Sequence, residues 1–213
     1  MAAKPGGNSG KRRLVVGISG ASGVALGIRL LEALAELETE SHLVMSKAAE
    51  MTIGYETALL PRDVAAKAGR TYAIGDIAAP LDAGACKTDG MIVAPCSIKT
   101  LSEIATGVTT SLLTRAADVT LKERRPLVLV VRETPLHLGH LRSLVQLAEI
   151  GAIILPPVPA FYADPKSLAD MVDQMVGRML DIFGYDWPNV RRWGEDLSKG
   201  RRTAGKRPRQ GHT

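Results

Sequence analysis

Three short stretches place glycines, hydroxyls and charges where chemistry on a phosphorylated ligand would need them. Gly17-Ile18-Ser19-Gly20-Ala21-Ser22-Gly23 follows the apolar run Leu14 to Ile18, Ala94-Pro95-Cys96-Ser97-Ile98-Lys99-Thr100 follows Met91 to Ala94, and Arg132-Glu133 follows Leu127 to Val131. A turn of this kind between a strand and a helix leaves helix-opening N–H groups without intrahelical partners and presents them to an anion. The glycines of the first turn stand three apart instead of in the GxGxxG pattern, and no Gly-Lys-Ser/Thr follows, so neither the dinucleotide fingerprint nor the ATP phosphate loop is present. After the next strand, the position at which an adenosine ribose would meet an acid holds Ser46. Two such turns side by side suit one phosphate and a ribityl chain, and FMN fits that outline better than a dinucleotide. A Gly/Ser turn that merely lets strand and helix pack closely leaves the same trace, and at this level both readings stand.

Other reactive residue types carry less. Cys96 has no histidine close in sequence to activate it, and a free cysteine is usually a small buried hydrophobe. Cys86 and Cys96 form no CxxC pair and suit a reducing compartment with no disulfide. His137 and His140 stand three apart on an expected helix, but no carboxylate or thiol shares that spacing, so a structural role is expected and no metal site.

The elements that must position these turns alternate. Leu14 to Ile18, His42 to Met45, Met91 to Ala94, Leu127 to Val131 and Ala152 to Leu155 read as buried strands. Between them, helical spacing runs over Ala25 to Leu34, Lys47 to Glu56, from about Ile98, and over Leu138 to Ile150. Such alternation calls for a parallel sheet with helices on both faces. Pro156, Pro157 and Pro159 then turn the chain, and Ser167 to Phe183 is the last expected helix. Pro61 to Thr88 shows little pattern and is expected to be a functional or partner-contacting loop region.

A length of 213 residues suits one compact domain, read here as 13–195, with a flexible leader over 1–12 and a basic, disordered tail over 196–213. The net charge of +5 resides in Ser198 to Thr213, which holds six basic residues and no acid: removing those six from 27 leaves 21 basic against 22 acidic, or −1. The folded part therefore gives no nucleic-acid signal; only the tail could touch RNA or anionic lipid. The apolar run after the leader is too short for a signal or membrane span, so no membrane contact and a cytoplasmic location are expected.

Several ordered motifs then coincide. Thr114-Arg115-Ala116-Ala117-Asp118, Leu121-Lys122-Glu123-Arg124-Arg125-Pro126, Arg132-Glu133-Thr134-Pro135-Leu136 and Leu155-Pro156-Pro157-Val158-Pro159-Ala160-Phe161-Tyr162, with Gly20-Ala21-Ser22-Gly23 and Pro95 to Thr100, closely resemble the UbiX family of flavin prenyltransferases over roughly Leu14 to Trp193. The resemblance implies a three-layer, Rossmann-like (flavodoxin-like) α/β fold. It also implies transfer of a dimethylallyl group from dimethylallyl monophosphate to N5 and C6 of reduced FMN, delivery of the product to a UbiD-type decarboxylase, and a homododecamer with sites at subunit contacts. It places Gly20, Ala21, Ser22, Ser46, Ser97, Ile98, Lys99, Thr100 and Arg132 against FMN, and Tyr162 and Arg178 against the donor, with Arg115 and Lys122 as further groups for its phosphate. Ser22, Glu56, Lys122 and Glu133 form the implied catalytic set, Glu56 and Glu133 moving protons if burial raises their pKa.

The residue types suit that reaction. Departure of phosphate needs concentrated positive charge and hydrogen-bond donors, which Lys122, Arg115, Arg178 and the Tyr162 hydroxyl would provide without a metal. No acidic cluster of the magnesium-binding kind stands in the sequence, which favours a monophosphate donor. Taken singly, Arg115 and Arg178 read as ion-paired surface residues, Lys122 as an exposed helix end, and Tyr162 as a packing residue. Where many relatives have Ser-Gly-Ser and often an aromatic, this chain has Ala83-Gly84-Ala85-Cys86, which argues for a non-catalytic FMN carrier subunit. The other alternative, a flavin-dependent cysteine decarboxylase, needs a histidine near the first helix; the early histidine here, His42, falls inside a strand.

Overall fold

A computed structural model describes residues 11–76, 78–81 and 86–190 of the chain. They divide into two compact units, Met1–Pro157 and Val158–Thr213. In the first, strands β1 (Arg13–Ile18), β2 (Glu40–Met45), β3 (Arg70–Tyr72), β4 (Met91–Cys96), β5 (Leu127–Val131) and β6 (Ile153–Ile154) form one sheet in the order β3-β2-β1-β4-β5-β6. Every pairing is parallel, with Val15 opposite both His42 and Met91. The chain builds outward from β1 through β2 to β3, then crosses to β4 on the other side of β1. That reversal makes the crevice outside the carboxyl ends of β1 and β4 the topological switch point, the place where open α/β sheets bind ligands.

Helices α1 (Val24–Glu36), α2 (Lys47–Glu56), α3 (Pro61–Ala65), α4 (Ile98–Thr106), α5 (Leu112–Lys122) and α6 (Leu138–Glu149) connect these strands. All of β4 and β5 is buried, as expected when both faces of a sheet are covered. Successive strand residues point to opposite faces. A Cβ on Gly17 would meet Leu113 of α5, whereas a Cβ on its neighbour-helix residue Gly27 in α1 would collide with the Ala94 carbonyl oxygen and come within 2.9 Å of the Ile18 side chain. Only glycine lets α1 lie that close to β4.

The expected helix Lys47 to Glu56 and strand Leu127 to Val131 coincide with α2 and β5, and the other strands and helices deviate by a few residues at their ends. Strands β1 and β2 start earlier than their apolar runs because Arg13 and Glu40 pair across them, Nε to Oε2 3.1 Å. The reading of Pro61 to Thr88 as a patternless loop is corrected: it contains α3 and the edge strand β3. A five-residue helix and a three-residue, largely exposed polar strand are too short to show a period.

The second unit holds a 3-10 turn, Phe161–Ala163, and helix α7 (Leu168–Ile182). Ser167 opens α7 by accepting from the Asp170 N–H at 3.1 Å, while the Asp170 carboxylate accepts from the Ser167 N–H at 3.2 Å. Of the expected leader over 1–12, residues 1–10 lie outside the described residues, as does the basic tail over 196–213. Among the described residues no helix is long and apolar enough to cross a membrane.

Candidate active site

The two turns flanking the switch point are tied together by a side chain. Ser19, fully buried, donates from Oγ to the Pro95 carbonyl at 2.9 Å and accepts at the same oxygen from the Ser97 N–H at 2.7 Å. Ser19 N–H also donates to the Pro95 carbonyl, and Ser46 N–H donates to the Ile18 carbonyl at 3.0 Å. A Cβ on Gly20 would overlap the Ala48 side chain and lie 3.2 Å from its carbonyl carbon, so the β1–α1 turn rests directly on the first turn of α2.

Three helices point their N-termini into this region. Ser46 caps α2, accepting from the Ala49 N–H at 3.0 Å; Ser97 caps α4, accepting from the Thr100 N–H at 3.3 Å; Ser111 caps α5, accepting from the Thr114 N–H at 3.4 Å. A cap hydroxyl satisfies one orphan N–H and leaves others in each first turn, and the helix dipoles add partial positive charge. Gly20 and the three caps line one cavity of about 400 Å³ together with Thr100 and Glu103. Donors converging from three helix ends, with no side chain at Gly20 to block approach, fit a phosphate ester, and the size is that of a small-ligand pocket.

At the other end of the β1–α1 turn, Gly23 opens α1 in the left-handed region at φ 98° and provides no side-chain cap. Glu56, the last residue of α2, takes that role: its Oε2 accepts from the Gly23 N–H at 2.8 Å and the Val24 N–H at 3.1 Å. Burial pushes the Glu56 carboxyl up, but the Ser22 hydroxyl, these two N–H groups and the nearby Arg132 outweigh it and hold the carboxyl below its ordinary value. The expectation of a raised pKa is therefore not met at Glu56, which stands ionised at neutral pH as a proton acceptor. Its folded-state pKa lies below the unfolded one, so its stabilisation is present above the ordinary carboxyl range and lost as pH falls through the folded value. At pH 7, Glu56→Gln is expected to lower Tm by roughly 2–4 °C, as for a weakened helix cap, with the difference from wild type closing as pH falls below the ordinary carboxyl range. Calorimetry across that range checks both.

The flavoprotein family matches residues 2–181. The UbiX flavin prenyltransferase of Escherichia coli K12 is 58% identical over 178 residues, 83% of this chain and 94% of that protein. The chain belongs to the UbiX flavin prenyltransferase family. A solved UbiX protein in complex with FMN and dimethylallyl pyrophosphate superimposes with TM-score 0.85 at 53% identity, covering 86% of this chain and 97% of that one. A dodecameric FMN-dependent UbiX-like decarboxylase from Escherichia coli O157:H7 does so with TM-score 0.83 at 49% identity, covering 85% and 98%.

As a member of the UbiX family the chain is a transferase, and its predicted FMN residues fall into groups. Gly20, Ser46, Ser97, Lys99 and Thr100 line the cavity. Ile98 opens α4 and packs on the core beneath, and Ala21 is buried in the β1–α1 turn. Ser22 and Arg132 gather around Glu56, and the Arg132 N–H donates to the Cys96 carbonyl at 3.1 Å, which joins the end of β5 to the β4–α4 turn. Glu133 follows, exposed, with Oε1 accepting from the Thr134 N–H at 3.0 Å.

The predicted donor residues stand on several elements. Arg115, half-buried on α5, pairs with Asp118 at 2.9 Å. Lys122 ends α5 and is exposed; at 1.5 Å per residue it stands roughly 16 Å along the helix from Ser111. Tyr162, in the 3-10 turn, and Arg178, on α7 at 3.4 Å from Asp181, belong to the second unit. Ala83, Gly84 and Ala85 lie outside the described residues.

The remaining reactive side chains have structural partners. Cys96 is fully buried, and burial pushes its thiol up to about 12. His42 is buried in β2 with Nδ1 2.8 Å from the Tyr72 hydroxyl, unlike a catalytic histidine beside the first helix. His137 caps α6 through Nδ1, which accepts from the Gly139 N–H at 3.0 Å. Among the described residues, no three His, Cys, Asp or Glu side chains are placed to hold a metal ion.

Ser19, Ser111 and Glu103 were not singled out from the sequence, where Ser19 beside Gly20 reads as turn chemistry, Ser111 follows a polar stretch with no motif, and a glutamate within a helix reads as surface. For Ser19→Ala, loss of the tie between the turns is expected to weaken FMN binding about ten-fold, with Ser19→Thr restoring most of it; flavin fluorescence titration reads both.

Proposed function

We propose that this chain joins a dimethylallyl group from dimethylallyl monophosphate to N5 and C6 of reduced FMN and passes the prenylated FMN to a UbiD-type decarboxylase. The observation that carries the reading is the cavity at the switch point, on which three helix N-termini converge while Glu56, Ser22 and Arg132 gather at the neighbouring turn. Bound reduced FMN supplies a nucleophilic nitrogen and then a ring carbon. Ser46, Ser97, Lys99 and Thr100 hold the flavin phosphate, with Gly20 and Ala21 giving backbone access and Ile98 packing beneath. Arg132 orients the ring end. The Glu56 carboxylate accepts protons released at the ring, with Ser22 as the hydroxyl between; Glu133 serves the same end from the β5 side. Lys122, Arg115, Tyr162 and Arg178 bind the donor phosphate and stabilise it as the allylic C–O bond breaks, where developing negative charge makes cations most effective.

The domain proposed for this work is 13–195, of which the family match over 2–181 covers the greater part. A cytoplasmic location accords with two cysteines and no disulfide.

Assembly into a homododecamer is part of the proposal. It is supported by α6, which leaves Leu138, Leu141 and Val145 59%, 44% and 58% exposed at positions three and four apart on one helix face. Val145→Glu is expected to shift the mass measured by light scattering to smaller species; an unchanged mass would leave α6 without this role. In such an assembly Lys122 serves the cavity of a neighbouring copy.

The deciding experiment incubates the protein anaerobically with reduced FMN and dimethylallyl monophosphate, then weighs the extracted flavin. A gain of one prenyl unit is expected. Unchanged flavin would replace the proposal with the carrier subunit, and oxidative decarboxylation of a cysteinyl peptide with the cysteine decarboxylase. Because the solved UbiX neighbour was captured with the pyrophosphate, the same assay with that donor tests the preference for the monophosphate.

A further inference from the structure

Helix α7 carries a glycine in its interior, Gly177, directly before Arg178. Glycine weakens a helix relative to alanine, so an interior one marks a place where something else needs the room. Here the chain that follows the helix fills it. After Phe183, Gly184 takes the left-handed conformation at φ 70°, and the Tyr185 N–H donates back to the Leu180 carbonyl at 3.2 Å, so the chain leaves α7 in a tight reversal. The returning segment, residues 185–190, packs on the helix. A Cβ on Gly177 would overlap the Val190 side chain and lie 3.1 Å from both the Val190 Cβ and the Trp187 Cδ1. Trp187 and Val190 are 1% and 6% exposed, so the contact is buried and close-packed. Pro188, Asn189 and Val190 also line a cavity of about 420 Å³ with Gln174 of α7 and with Ala163, the residue after Tyr162. The returning segment thus touches α7 at the residue before Arg178 and shares a cavity with the turn that holds Tyr162.

We infer that Gly177 is a positioning residue for the prenyl donor: by admitting residues 185–190 against α7 it fixes the rotation of that helix, and so the direction in which Arg178 projects. The inference rests on the donor role proposed above for Arg178. Successive residues of an α-helix stand about 100° apart around its axis, so any turn or shift of α7 that clears Val190 swings the long Arg178 side chain with it. Asp181, 3.4 Å from Arg178, sits on the same helix and moves with it, so the ion pair cannot correct the displacement.

The test compares wild type, Gly177→Ala, Val190→Ala and the double variant as full chains. It reads KM and kcat for dimethylallyl monophosphate at saturating reduced FMN, the Kd of FMN, and Tm. Gly177→Ala is expected to raise the donor KM about ten-fold. The FMN Kd should stay unchanged, since the cavity assigned to FMN is lined by residues of the first unit. Val190→Ala removes the side chain that the new methyl group would strike, so the double variant should recover most of the donor KM, whereas general destabilisation would leave the two defects additive. In an Arg178→Ala background, Gly177→Ala should raise the KM no further, because it acts through that arginine. Gly184→Ala, which penalises the left-handed reversal, is expected to move the donor KM the same way by about two- to three-fold, and it serves should Gly177→Ala fail to fold. A donor KM unchanged in the folded variants, or one that Val190→Ala does not restore, would overturn the inference while the donor role of Arg178 stands. If Arg178→Ala itself leaves the donor KM unchanged, the donor reading fails and this inference with it.

Discussion

Replacing Lys122 with alanine is expected to lower prenyl transfer by about 10²–10³-fold, the usual consequence of deleting one charged group that meets a developing anion. The candidate cations differ in how they are engaged. Arg115 faces Asp118 at 2.9 Å and Arg178 faces Asp181 at 3.4 Å, so each already has an anionic partner that a donor phosphate would have to share. Within the run Lys122-Glu123-Arg124-Arg125, the acid is taken by Arg125, and Lys122 makes no ion pair among the described residues. An exposed lysine without an anion is the cheapest one to bring to a leaving phosphate. The loss should fall on kcat and on the KM for the donor, since Lys122 is not among the residues that line the FMN cavity.

The position of Lys122 adds a second readout. Helix α5 begins at the cavity with Ser111 and carries Lys122 away from it. If the residue acts on a neighbour's cavity, Lys122→Ala and a cavity-defective variant reassembled together should recover activity up to about a quarter of wild type, the share of sites that combine an intact lysine with an intact cavity in a random closed assembly. No recovery would place Lys122 in the site of its own chain.

Gly20→Ala is the second large expectation: FMN affinity should fall by at least about 100-fold, and turnover with it, because the new methyl group must enter space the Ala48 side chain and backbone already occupy. The Ala48 backbone cannot swing aside as a long side chain would. Either the β1–α1 turn lifts off α2 or the first turn of α2 moves, and both separate the donors that converge on the phosphate. An overpacking change of this kind costs roughly 1–3 kcal/mol of stability, so a folded variant with a lower Tm is expected and binding can be read directly. A folded Gly20→Ala that bound FMN normally would show that the close approach of the two elements is not what shapes the cavity.

What could be read from residues alone was whatever repeats or clusters locally. Buried runs such as Leu127 to Val131, alternating with helical spacing, dictated a parallel sheet with covered faces, since backbone hydrogen bonding and burial of apolar side chains leave few other arrangements. The glycines and serines at 19–23 and 97–100 marked strand ends that suit an anion, and the order of motifs along the chain pointed to the family. The edge strand β3 escaped because three polar residues carry no period. Tertiary structure decided everything that depends on residues far apart in sequence meeting in space. Ser19 becomes a tie only because β1 and β4, 76 positions apart at Pro95, lie side by side. Glu56 becomes ionised by contact with the start of α1 rather than protonated by burial, since the balance between desolvation and hydrogen bonding is set by neighbours that a linear pattern does not name. Glu103 likewise faces the cavity because α4 happens to turn that side inward, and a helical glutamate looks the same in sequence whichever way its helix is rotated.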